Sequence, residues 1–272
     1  MLLCTKGHFV KNVKGTLAGE EGSGNQEERQ LAAANLMQRI RDYATDETGL
    51  QPGSPVWIWT GSSSAKLDNT MEEPGLFETI SGGKPSRPGQ RIVYVDGGFD
   101  LFSSGHIEFL RQVLAHEEME GRQRGWYDPE VRERRLREYG EDYGPAYVVA
   151  GIHDDGVINH WKGFNYPIMN IFERGLCVLQ CRPYLRAMPL GVPDAVYHGP
   201  TTFIPLTYDP YTAPKRMSIF RETGSHDFQH VNAGEIVGRI LKSREAYEER
   251  QRAKLQKGVI EELTKAKEDS IN

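Results

Sequence analysis

The run Arg91-Ile-Val-Tyr-Val-Asp96 is a short β-branched strand that stops at once on Gly97-Gly98. Helical spacing resumes directly afterwards in Ile107, Leu110, Val113 and Leu114. A strand, a glycine turn and a helix in that order leave few folds open. The alternation continues down the chain. Residues 146–153 read as a second buried strand and 170–181 as a helix. Residues 194–198 read as a short strand ended by Gly199, and 232–263 as a long helix that is nearly all charge from Arg244 onward. That grammar predicts an α/β fold with a doubly wound, Rossmann-like parallel sheet. In such sheets ligands bind beyond the carboxyl ends of the strands, where strand order reverses. Residues 96–106 and 153–162 therefore share one mouth.

The segment between the strand and the helix carries the chemistry. Gly97 and Gly98 let the backbone turn sharply and approach a ligand. The helix then starts near Gly105, with the positive end of its dipole toward the mouth. This is an anion site suited to phosphate. Asp100 is placed to cap the turn. His106, at the helix start, is placed to donate from a ring nitrogen to a phosphoryl oxygen as charge develops. The bland alternative for such a loop is a glycine turn with a capping histidine and no ligand.

Composition constrains the partners. The 272 residues carry a formal net charge of -5, so no overall field draws the chain to nucleic acid or to an anionic membrane. No apolar run approaches the length of a membrane span. The cysteines are Cys4, Cys177 and Cys181, a sparse set that points to a reducing, cytoplasmic compartment and to core thiols, with no protein metal site. Residues 27–45 predict an amphipathic helix with Ala32, Leu36, Ile40 and Tyr43 on one stripe. Residues 49–90, rich in Pro, Gly and Ser around isolated aromatics, predict a linker. Residues 117–145, crowded with Arg and Glu, predict a solvated surface excursion.

Gly97-Gly98-Phe99-Asp100, followed by Gly105-His106, resembles the first signature of the cytidylyltransferases, Gly-x-Phe-Asp-x-x-x-x-Gly-His. The usual family form ends His-x-Gly-His, and here Ser103 replaces the first histidine. Gly151-Ile-His153-Asp-Asp155 and the downstream Lys162-Gly163 resemble the second signature. The helix start containing Glu173-Arg174, and Tyr197-His198-Gly199, also resemble family segments. In the last motif the hydroxyl triplet that grips the triphosphate is replaced by Asn232-Ala233-Gly234. Taken with the segment 201–210 and the charged tail, the chain resembles the more divergent second domain of the fungal-type ethanolamine-phosphate cytidylyltransferases.

The resemblance implies a nucleotidyltransferase-superfamily fold acting on CTP and phosphoethanolamine to give CDP-ethanolamine and pyrophosphate, with Mg²⁺ on the triphosphate, this chain being a weakly active or inactive half of such an enzyme. It implies catalytic roles for His106 and Lys162. It implies nucleotide contacts from Gly97, Gly98, Phe99, Asp100, Ser103, Gly105, His153, Asp155, Arg174, Gly199 and Asn232. The implied organisation is residues 1–48 as a remnant of a preceding domain plus a helix, 49–90 as linker, 91–243 as the cytidylyltransferase-like domain and 244–272 as a charged helical tail. A stretch about the length of a strand, roughly five or six residues, is missing after Cys181-Arg182. That loss predicts an absent edge strand and an exposed flank on the 146–153 strand. Two losses, at Ser103 and at Asn232-Ala233-Gly234, also predict a second possibility: a pseudo-catalytic, regulatory module that binds nucleotide and packs on an N-terminal catalytic domain. A choline-phosphate or pantetheine-phosphate type of nucleotidyltransferase is a third reading, opposed by the match of the tail.

Overall fold

Residues 91–97 form the strand that the β-branched run predicts, and the rest of the sheet is arranged around it. In the computed structural model of the protein, residues 2–3, 26–45, 53–59, 77–83, 86–163, 165–181, 192–199 and 209–271 are described. Contacts divide the chain into two units, Met1–Gln229 and His230–Asn272. In the first the elements are β1 (Leu2–Leu3), α1 (Gln26–Tyr43), β2 (Val56–Trp59), β3 (Phe77–Ser81), β4 (Arg91–Gly97), α2 (Ser104–Gln123), α3 (Pro129–Tyr139), β5 (Ala146–Ile152), α4 (Asp155–Lys162), α5 (Ile171–Leu179), β6 (Ala195–His198), α6 (Thr212–Arg216) and β7 (Phe220–Glu222). The second unit holds α7 (Ala233–Lys242) and α8 (Arg244–Ile271).

The sheet runs β3-β2-β1-β5-β4-β6-β7. β4 pairs in parallel with β5 on one edge and β6 on the other, and β7 is parallel to β6. After β4 the chain moves to one side for β5, then returns past β4 for β6. Strand order reverses at β4, which makes its carboxyl end the switch point. This is the expected Rossmann-like α/β fold, a parallel sheet flanked by helices.

Alternation sets the core. Val93 and Val95 face inward beside Val148, Ala150 and Ile152 of β5, and meet Leu110 and Val113 of α2 and Val178 and Leu179 of α5. Ile92 and Tyr94 turn to the other face and pack on Tyr147 and Val149. The period of two in β4 is what separates these two clusters.

Four expectations are corrected. The stretch read as a linker holds β2 and β3, paired antiparallel, with Val56, Ile58 and Ile80 buried. The flank of β5, expected to be open, is paired: Leu2 aligns with Gly151 and Leu3 with Ile152. Those two residues satisfy backbone groups that an open edge would leave unpaired. The residues at the apparent gap, 182–191, lie outside the described residues, as does the segment 201–208. In α1, Leu36 and Ile40 are buried as expected, but Tyr43 is exposed, and Ala44 just past the helix end is buried.

The fourth correction concerns the Arg- and Glu-rich insert, which is not simply solvated. α2 continues through its first part and α3 occupies its second. Glu117 is wholly buried, accepting from Arg91 Nε at 2.8 Å and from the Tyr197 hydroxyl at 2.9 Å. Arg135 is buried over the Trp126 ring, 4.2 Å from its centroid, and donates to the Trp126 carbonyl and the Asp142 carboxylate. Charges enter this interior because they satisfy each other. The expected C-terminal helix is present but interrupted at Ser243, and its part from Arg244 to Lys257 is exposed. Cys181 is buried and Cys177 half-buried, both free, and burial raises both thiols.

Candidate active site

The loop between β4 and α2 is held in a conformation that the free chain would resist. Phe99 and Leu101 adopt φ of 51° and 45°, the left-handed region that side chains disfavour. Between them Asp100 is buried, and its carboxylate ties the loop down. Oδ1 accepts from Leu101 N at 3.0 Å and Met169 N at 2.9 Å, while Oδ2 accepts from Ile168 N at 2.8 Å. The sequence suggested a local cap. The structure shows a bridge to the segment ahead of α5. Gly98 lies close to α4, where a Cβ would sit 3.2 Å from Ile158 Cδ1 and that side chain would have to give way.

Arg174 lies directly behind this loop. It is 0% exposed. Nε donates to the Met169 carbonyl at 3.0 Å and one terminal nitrogen donates to the His153 carbonyl at 2.8 Å. The guanidinium also donates to the Gly98 carbonyl and the Asp155 carboxylate. Burial raises the Asp155 carboxyl, against the opposing pull of Arg174. An arginine with these four acceptors is committed to the protein. Its position ties together the β4 loop, the end of β5, the start of α4 and the approach to α5. α4 and α5 are each capped, by Asp154 on Val157 N at 2.8 Å and by Asn170 on Glu173 N at 3.0 Å.

His106 stands on the open side of the loop. It is half-buried, stacked on Phe102 with centroids 5.2 Å apart. Burial first, and then the Lys162 charge, push its imidazole from 6.5 down to about 4, against the pull of Asp100. Lys162, at the last turn of α4, is exposed. Its charge also helps lower His153, whose imidazole is depressed first by burial and raised by Asp96. His106 and His153 are thus each in electrostatic reach of Lys162. His153 is anchored by its own N–H to the Gly97 carbonyl at 3.1 Å. Gly199 follows β6 on the other side of β4.

The structure therefore gathers Gly97, Gly98, Phe99, Asp100, Ser103, Gly105, His106, His153, Asp155, Lys162, Arg174 and Gly199 around one strand end. Asn232 belongs to the second unit, where it caps α7 by accepting from Glu235 N at 3.0 Å.

Two residues escaped the sequence reading. Asp96 ends β4 at the mouth, with Oδ1 accepting from the Tyr211 hydroxyl at 2.9 Å and Oδ2 3.6 Å from His153 Nε2. Burial, and then the Asp96 carboxylate, push the Tyr211 phenol up, so it remains a donor. Tyr211 also meets the His198 ring edge-on at 5.0 Å. A carboxylate closing an apolar strand was the available signal for Asp96. Nothing local marked Tyr211.

No protein-family model matches the chain. Its sequence is similar to the ethanolamine-phosphate cytidylyltransferase of Mus musculus, 35% identical over 211 residues that span 72% of this chain and 44% of the mouse protein. That of Dictyostelium discoideum is 29% identical over 270 residues, 93% of this chain and 58% of its own length. The probable ethanolamine-phosphate cytidylyltransferase of Schizosaccharomyces pombe is 28% identical over 243 residues, 83% of this chain and 54% of its own. The chain spans about half the length of the curated relatives it matches. With the Rossmann-like sheet and the loop at its switch point, these matches make the chain a homologue of the ethanolamine-phosphate cytidylyltransferases.

Proposed function

We propose that the mouth at the end of β4 binds CTP and serves transfer of its cytidylyl group to phosphoethanolamine, giving CDP-ethanolamine and pyrophosphate. The observation that carries this reading is the shared position of the β4–α2 loop, His106 and Lys162 at the switch point of the sheet. A triphosphate there meets the positive end of α2, a ring N–H and a lysine charge. As the substrate phosphate attacks the α-phosphate of CTP, negative charge grows on the phosphoryl oxygens, and donors already fixed in place stabilise it. In this reading His106 and Lys162 are catalytic. Gly97, Gly98, Phe99, Asp100, Ser103, Gly105, His153, Asp155 and Gly199 shape the cradle, with Arg174 acting through them. Asn232 keeps its nucleotide role by resemblance alone. Mg²⁺ would ride on the triphosphate and neutralise its charge; among the described residues no group of three or more His, Cys, Asp or Glu is placed to hold a metal.

The ammonium end of phosphoethanolamine needs an anionic partner. Asp96, beside His153 and Tyr211, is our candidate. Asp96→Asn is expected to weaken phosphoethanolamine binding about tenfold, by loss of one charge-assisted contact, and to spare CTP. Calorimetry with each ligand checks this, and equal losses for both ligands would remove the assignment.

Calorimetry also tests the nucleotide site itself. CTP should bind better than ATP. His106→Ala should weaken CTP by about ten- to a hundredfold, the cost of a hydrogen bond to a charged group. His116→Ala, whose ring faces Tyr197, should leave CTP binding unchanged. Equal effects of the two variants would undo the site.

A second reading has its own support in Asn232-Ala233-Gly234, which lacks the hydroxyls of the family motif. In that reading the chain is a regulatory module that binds nucleotide and packs on an N-terminal catalytic domain, in keeping with relatives about twice its matched length. A turnover assay separates the two, because release of CDP-ethanolamine by this chain excludes a purely regulatory role. No described helix is long and apolar enough to cross a membrane. The sparse cysteines favour the cytoplasm.

A further inference from the structure

The residue that breaks the family pattern, Ser103, is in contact with the histidine that keeps it. Ser103 is the N-cap of α2 in an extended conformation, φ −136° and ψ 176°, and His106 is the third residue of the helix. In the common capping box a Glu at that third position accepts from the cap N–H. Here the imidazole takes the place of the carboxylate. Ser103 N donates to His106 Nδ1 at 3.1 Å, and Ser103 Oγ lies 3.2 Å from the same nitrogen.

A backbone N–H can only donate. The ring nitrogen facing it must offer its lone pair, so Nδ1 carries no proton and a neutral ring must carry its proton on Nε2. The Ser103 hydroxyl beside the same nitrogen can donate or accept, and the tautomer of the ring decides which. Protonating Nδ1 would set one N–H against another and break the backbone contact. We propose that Ser103 is a positioning residue that locks His106 as the neutral Nε2–H tautomer, a fixed hydrogen-bond donor in place of a titrating cation. The use of that donor toward a phosphoryl oxygen rests on the nucleotide reading; the lock does not.

The surroundings act in the same direction, with one exception. Phe99 and Phe102 cover the ring with apolar surface, their centroids 5.7 and 5.2 Å away. Lys162, on α4, disfavours a second positive charge, and Asp100, on the loop, favours one. The lock has a consequence for chemistry. A histidine that is already neutral at physiological pH loses no proton when an anion arrives. Its donor strength then does not vary across the pH range in which an ordinary histidine titrates.

Ring ¹⁵N NMR of the full chain without ligand tests the lock. The expected spectrum of His106 shows one neutral form with hydrogen on Nε2, persisting below the pH range in which an ordinary histidine titrates. Ser103→Ala removes the hydroxyl but keeps the backbone donor, so the Nε2–H form should persist. Ser103→Pro removes that donor and should admit some Nδ1–H form and move the His106 midpoint up by about one pH unit, the preference of one hydrogen bond for one protonation state. A mixed-tautomer spectrum in the parent protein or in Ser103→Ala, or an unchanged His106 in Ser103→Pro, overturns the proposal. Addition of CTP then separates the two ideas: an Nε2 resonance that stays in place with the tautomer as expected keeps the lock and counts against the nucleotide site.

Discussion

Arg174→Leu is expected to destabilise the first unit by about 3–5 kcal/mol, the cost of removing one partner from a buried ion pair. The leucine fills the space but donates nothing. Asp155 is left half-buried without its cation, and the carbonyls of Gly98, Met169 and His153 lose their donor. Each orphaned acceptor adds to the loss. Arg174→Lys is expected to recover little, because one ammonium group cannot reach acceptors spread around a planar fork. Urea unfolding of the parent and both variants measures this. The two possible roles order the results differently. A phosphate contact would leave the lysine variant stable and weaken CTP. A structural hub costs stability in both variants, whatever ligand is present. A lysine variant within 1 kcal/mol of the parent would remove the hub.

Asp100→Ala is the second large effect, with an expected loss of about 3–5 kcal/mol from three backbone N–H groups left without an acceptor and a charged acceptor removed. Leu101, Ile168 and Met169 are the donors, and no water-sized replacement reproduces a carboxylate that spans two segments. The loop should then relax from the positive φ of Phe99 and Leu101, which other contacts must enforce. Asp100→Asn should cost less, about 2 kcal/mol, since its amide oxygen accepts while its NH₂ opposes one donor. Unfolding midpoints check the order Ala worse than Asn. Amide exchange at Ile168 and Met169 gives the local readout, and protection unchanged in Asp100→Ala would exclude the bridge.

What the sequence made legible was short-range. The strand, the glycine pair and the helix at residues 91–114 follow from neighbouring residues, and their assembly into a parallel sheet follows from alternation. What it hid depends on partners far apart. Arg174 meets Gly98 across 76 residues, and Tyr211 meets Asp96 across 115. No spacing rule reaches that distance. The buried insert was hidden for another reason. Glu117 and Arg135 look like surface residues until their partners, Arg91 and Asp142, are seen beside them. β2 and β3 are too short for periodicity to stand out among the prolines and glycines around them. Arg174 was noticed, but its protein partners were not, because a family likeness names a residue without saying which way it faces.

β4 is hydrogen-bonded along both edges, and its alternate residues feed two different interiors. Deleting a single residue from it would invert Val93 and Val95, and would carry Asp96 and the glycine turn to the wrong side as well. Length variation is therefore barred from this strand and pushed outward, into connections such as that between α2 and β5. There, extra turns of helix can accumulate without shifting the loop at the end of β4.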